Sequence, residues 1–138
     1  MLSPAVIQAA LIALLKANAP LVAALPGAAH IKEADWRGTT FDYPAVRVDI
    51  GSGIPEGTGA CAEEWTRLAG SIIVLSKADS SAECLSIMGL IQNAIIRHRL
   101  AGAGLTSLDL KVDQAAYPFR QDDIWRGEVL FYTTAIQT

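Results

Sequence analysis

The stretch from Glu63 to Arg99 constrains the fold more than any other part of the chain. It opens as a strand that becomes apolar on both faces at Ile72, Ile73, Val74 and Leu75, breaks at Lys77-Ala78-Asp79, and continues in a helical pattern. A strand without a wet face belongs near the middle of a sheet. Ser80 followed three residues later by Glu83 reads as a capping box, worth about 1 kcal/mol. The helix beyond it carries Leu85, Met88, Ile91, Ile95 and Ile96. Arg97, His98 and Arg99 then fall in its last turn, where cations complement the helix dipole.

Upstream, Ser3 caps a helix with Pro4 in its first turn, and Ile7, Ala10, Leu11, Leu14 and Leu15 fall on one face at helical spacing. The remaining face is apolar as well, with Val6, Ala9, Ile12 and Ala13, and only Gln8 and Lys16 are clearly polar. A helix apolar all round is usually covered all round. In a chain of 138 residues the second cover is either another subunit or enclosure within the monomer. On the first alternative Leu14 points to the core and Ile12 to a neighbour. The same segment imitates a secretory leader, ending in Ala17-Asn18-Ala19. It lacks a cationic start, carries Lys16 late and has Pro20 directly after, so it reads as a soluble helix. Pro20 opens a short second helical turn through Leu25, which Pro26-Gly27 ends.

Val46, Val48 and Ile50 alternate with Arg47 and Asp49 in the period of a half-exposed strand that starts at Pro44. Gly51, Ser52, Gly53, Ile54, Pro55, Glu56, Gly57, Thr58 and Gly59 hold four glycines and a proline, and read as a flexible arm or hairpin loop and not as a packed element. Gly70 marks a bulge in the long strand. After a turn at Gly102–Gly104, Leu108, Leu110 and Val112 alternate with Asp109, Lys111 and Asp113, and a last strand runs from Trp125 to Ile136. The expectation is a single α+β domain over residues 1–138. Its sheet is mostly antiparallel, with about four to five strands and two main helices packed on one side.

Reaction chemistry is hard to find. Val48-Asp49-Ile50-Gly51-Ser52-Gly53 imitates a strand-to-loop motif that holds S-adenosylmethionine, but Pro55 stands at the third glycine and Glu56-Gly57-Thr58-Gly59 does not start a helix. His30, Cys61, Cys84 and His98 lack the paired short spacing of a structural zinc site. Two cysteines in different kinds of segment fit reduced thiols better than a disulfide scaffold. Glu63-Glu64 and Asp122-Asp123 are neighbours in sequence, which in a strand point to opposite faces. No G-x-S-x-G elbow surrounds a serine. No catalytic residue, cofactor or metal is therefore expected. A net charge of -3 and a pI near 5.2 argue against a protein that grips nucleic acid. Trp36, Trp65 and Trp125 all lie beside charged residues, as at strand ends, and fit either core packing or a subunit contact.

As a whole the chain resembles the tail-terminator, or tail-completion, proteins of long-tailed bacteriophages and gene transfer agents. The resemblance rests on the order and spacing of several landmarks. These are the Ala5–Leu11 helix, the Ala19–Leu25 turn ending at Gly27, Tyr43-Pro44-Ala45-Val46 entering a strand, the long strand, the Ser80-capped helix, and the closing Glu128-Val129-Leu130-Phe131-Tyr132 strand. At Glu33-Ala34-Asp35-Trp36 it departs from the family, which often has a proline there.

The resemblance implies a structural virion protein of the tail neck, assembled in the host cytoplasm. It implies a homo-hexameric ring that caps the tail tube, ends polymerisation and joins the tail to the head connector. Its partners are then further copies of itself, the tail tube protein and the connector protein; DNA passes through without specific binding, and no membrane is involved. The alternatives are another head-to-tail neck component or a small cofactor-binding enzyme. Ring closure needs two different patches on each subunit. The candidates are the back of the first helix (Val6, Ala9, Ile12, Ala13), the Gly51–Gly59 arm, and Trp36 and Trp125.

Overall fold

In the computed structural model, which describes residues 3–38, 41–56, 65–102 and 104–137, the central strand β3 (Trp65–Ser76) is paired on both sides. Its neighbours are β2 (Ala45–Glu56) and β7 (Ile124–Gln137), both antiparallel to it. Among the described residues four further strands complete a seven-stranded sheet: β1 (Ile31–Glu33), β4 (Ala101–Gly102), β5 (Leu105–Ser107) and β6 (Lys111–Gln121). β1 runs parallel to β2, the one parallel pair among the described residues; β5 and β6 share the far edge of β7. Three α-helices are described: α1 (Pro4–Lys16), α2 (Ala19–Ala23) and α3 (Ala82–Ile95). The class is α+β as expected. The sheet has more strands than expected because β1, β4 and β5 are only two or three residues long, too short for alternation to register.

The register explains why the helices take one side. Val48, Ile72 and Val129 stand opposite one another across β2, β3 and β7, as do Val46, Val74 and Gly127. The valines and Ile72 join Ile7, Leu11 and Leu15 of α1 and Ile87, Ile91 and Ile95 of α3 in one buried cluster. Leu14 and Ile12, assigned to opposite roles above, are both half-buried and both pack on this cluster. Leu85 on α3 and Ile96, the residue just past its end, are exposed, and Cys84, Ile87 and Ala94 take the buried positions.

Two glycines are dictated by what crosses them. A Cβ on Gly70 would come within 2.5 Å of the Asp49 carbonyl oxygen and 2.8 Å of Phe131 Cζ. The bulge anticipated at Gly70 lies on the opposing strand: the register shifts between Ile50 and Gly53, so the extra residue sits at Gly51–Ser52. A Cβ on Gly127 would lie against Met88 Sδ and 3.0 Å from Cys84 Sγ, so this glycine lets α3 settle onto β7.

Several expectations are corrected. β2 continues through the supposed Gly51–Gly59 arm as far as Glu56, where Pro55 faces Thr66 and Glu56 faces Trp65; the ladder supplies the partners that composition does not reveal. Gly57, Thr58 and Gly59 lie outside the described residues, with Cys61 and Glu63-Glu64. The capping box does not form. Ser81 is the N-cap of α3, and Glu83 accepts a 2.8 Å hydrogen bond from the hydroxyl of Ser76, buried at the end of β3, tying helix to strand. Arg97 to Arg99 lie past the end of α3, where Arg97 takes φ 62° and Arg99 pairs with Asp109 at 3.1 Å. Asp122 and Asp123 form the two-residue β6–β7 turn with φ of 52° and 64°, the left-handed pair that a tight hairpin requires.

Gly70→Ala is expected to destabilise the fold by about 1–3 kcal/mol, the usual cost of overpacking, read as a lower urea midpoint with an unchanged slope.

Candidate interface surfaces

The outer side of α1 is only partly free. Ala9 and Ala13 are exposed, whereas Val6 and Ile12 are half-buried and pack on the core. Val6 Cγ1 lies 3.8 Å from where a Cβ on Gly102 would stand, so β4 covers part of the helix back. What α1 leaves open is a narrow strip of small residues. Beside it runs an open cleft between the first turn of α1 (Pro4, Ala5, Gln8), the turn at Asp35 and Arg37, and Asp49–Ile50 of β2. Gln8 Nε2 donates to the Val48 carbonyl at 3.0 Å and the Ala34 amide donates to the same oxygen at 2.9 Å, so one acceptor joins three elements. The cleft sets Pro4, Ala5 and Gln8 of α1 beside Asp49–Ile50, just before the predicted arm, whose first residue Gly51 is exposed.

The two tryptophans proposed as contacts have different settings. Trp125 stands opposite Ser76 on the helix-bearing side and packs on the core. Its Nε1 is the one buried side-chain polar atom without a partner among the described residues. Trp36 follows β1 and folds over the other side of the sheet. Its ring meets Phe41 edge-on at 5.8 Å, and Phe41 meets Tyr43 at 5.2 Å, next to the cis Tyr43–Pro44 peptide.

The pin for this aromatic row is Arg47. Its side chain is 7% exposed, its guanidinium carbon lies 5.1 Å from the Trp36 ring centre and 4.9 Å from that of Phe41, and Nη1 donates to the carbonyls of His30 and Val46 at 3.2 and 3.0 Å. Burial lowers its pKa, and Tyr43 and Glu33 oppose the shift. Period-2 spacing places Arg47 on a wet face; the aromatic loop after β1 covers it instead. Arg47→Ala removes two hydrogen bonds and two stacking contacts. It is expected to cost roughly 2–4 kcal/mol and to shift Trp36 emission to the red, with the far-ultraviolet dichroism retained.

No group of three or more histidine, cysteine or acidic side chains is placed to hold a metal among the described residues. Val48–Gly53 lies inside β2 and leads into more strand, without the helix start that a nucleotide-type cradle uses. Cys84 is buried under β3, and burial pushes its thiol up to about 11, with the Gly127 backbone opposing and Glu83 adding to the shift. In a Cys61→Ser background the folded protein is therefore expected to resist a disulfide reagent at pH 8 and to react once unfolded in urea, because the thiolate is the reacting species.

Sequence reasoning missed the exposed aromatics of β6. Tyr117 is 78% and Phe119 51% exposed, flanking buried Pro118. A register break between Ala116 and Phe119 resets the alternation there, which no count along the sequence detects. Among the described residues no helix is long and apolar enough to cross a membrane.

No protein-family model matches the sequence, and no curated protein matches it. Solved structures do. A chain in the virion of a native gene transfer agent particle matches with a TM-score of 0.77 and 18% identity, over 96% of this chain and 96% of that one. A second solved chain matches with a TM-score of 0.65 and 14% identity, over 100% of this chain and 98% of that one. At such identities the likeness is one of fold, and it extends over essentially the whole of both chains.

Proposed function

We propose that this chain is a non-enzymatic structural protein of a phage-type virion, and that it closes into a six-membered ring on the end of the tail tube, stops its growth and offers a docking surface to the head connector. The observation that carries this reading is the full-length likeness to a chain of a gene transfer agent virion. The assembly partners are further copies of this chain, the tail tube protein and the connector protein. The ring contact uses the exposed strip of α1 at Ala9 and Ala13 on one subunit, with the cleft beside it, and the Gly51–Gly59 segment on the next. These are unlike patches, as a closed ring of identical subunits requires.

Negative-stain images of the purified protein are expected to show six-fold rings with an open centre. Ala9→Asp and Ala13→Asp, at exposed positions, are expected to keep the native dichroism and lose the rings. Leu11→Asp, in the core, is expected to lose both. Native-mass monomers that stay monomeric on isolated tail tubes count against the reading, as do rings that survive both alanine substitutions.

A further inference from the structure

All six cation–aromatic contacts in the described residues involve cations from the side of the sheet away from the helices. At one end Lys32, Arg47 and Lys77 lie 4.6–5.3 Å from the ring centres of Trp36, Phe41 and Tyr43. At the other, Arg67 and Lys111 lie 5.3 and 6.0 Å from the ring centre of Tyr132. The register accounts for their common side: Lys32 stands opposite Arg47, which stands opposite Ile73; Lys111 stands opposite Tyr132; and Arg67 stands opposite Thr134. Arg126 joins them opposite Leu75, and the acids that the strands place there are Asp49, Glu56 opposite Trp65, and Glu128, which pairs with Arg126 at 3.1 Å. The loop after β1 adds Asp35, Arg37 and Asp42 nearby. Six of the chain's 11 cations therefore stand on a face to which the strands give three of its 14 acids. An acidic protein has gathered its positive charge in one place.

We infer that the exposed cations of this sheet face contact the phosphodiester backbone of a nucleic acid duplex. Arg47 is buried and serves as the anchor of the aromatic row, which leaves Lys32, Lys77, Arg67 and Lys111 to meet phosphates. The two clusters are separated by the six residues from Ile73 back to Arg67 along β3, or roughly 20 Å of strand. That length spans about six phosphates of one DNA strand. The rings beneath the cations are engaged in holding them, so the contact reads charge and not base sequence. A long-range repulsion from the remaining acids keeps it weak and reversible. The inference takes its setting from the ring proposed above, in which this face turns to a passing duplex, but its test is separable from the ring's.

The measurement is fluorescence anisotropy of a short random-sequence DNA duplex titrated with the full-length protein at several salt concentrations, with oligomeric state followed in the same samples by sedimentation. Wild-type binding is expected to fall with salt with a logarithmic slope of roughly -3 to -4, as for four phosphate contacts. Arg67→Glu and Lys111→Glu, both at exposed positions, each reduce that slope by about one. Lys16→Glu, which makes the same change in net charge at the end of α1, leaves the slope unchanged. Equal loss in all three variants, or no duplex binding at low salt, overturns the inference whether or not rings form. Salt-sensitive self-association that Arg67→Glu abolishes, without duplex binding, assigns these cations to the acids of a neighbouring copy and overturns it as well. Duplex binding with the expected slopes in a protein that forms no ring, alone or on isolated tail tubes, supports the inference and removes the ring reading alone.

Discussion

Everything in this molecule hangs on β3 being paired from end to end on both sides. Its twelve residues meet β2 across one edge and β7 across the other, so the backbone groups of the most apolar segment are satisfied without water. That arrangement aligns Val48, Ile72 and Val129 in one row under the helices and Arg47, Ile73 and Glu128 in the next row on the other side. A one-residue slip would exchange the two sides. Gly70 and Gly127 belong to the same constraint, because each gives up its side chain where Phe131 or α3 must come close.

The parts of the fold legible in the sequence are those with enough residues to show a period. α1, α3, β3 and β7 are long and regular, and each lies close to where spacing puts it. The losses have local causes. Ser80 and Glu83 have capping-box spacing, but a buried hydroxyl on Ser76 competes for the carboxylate and wins. The glycine content of the segment after Ile50 reads as a loop, yet a partner strand supplies its hydrogen bonds through Glu56. Leu85 has the chemistry of a core residue and stands outside because the helix turns Cys84 and Met88 toward Gly127.

The surfaces were harder to read than the core for a related reason. A helix apolar all round announces that something covers its back, but not that β4, a strand of two residues, supplies part of the cover. Of the residues assigned to contacts from sequence, Ala9, Ala13 and Gly51 stand exposed, while Trp125 is committed to the core and Trp36 to a stack with Phe41 and Arg47. The gathering of cations on one side of the sheet has no sequence signature, since its members come from five strands and the turn after β3 and meet only through register.

The far edge of the sheet bears on how such a fold avoids stacking on itself at high concentration. β6 offers an outer edge of eleven residues, the kind of unfinished ladder that recruits other chains into stacked sheets. It is interrupted twice, between Val112 and Gln114 and between Ala116 and Phe119, and Pro118 removes a donor within the second interruption. The regular run between those interruptions is three residues, Gln114 to Ala116. An edge so notched resists templating a fibre.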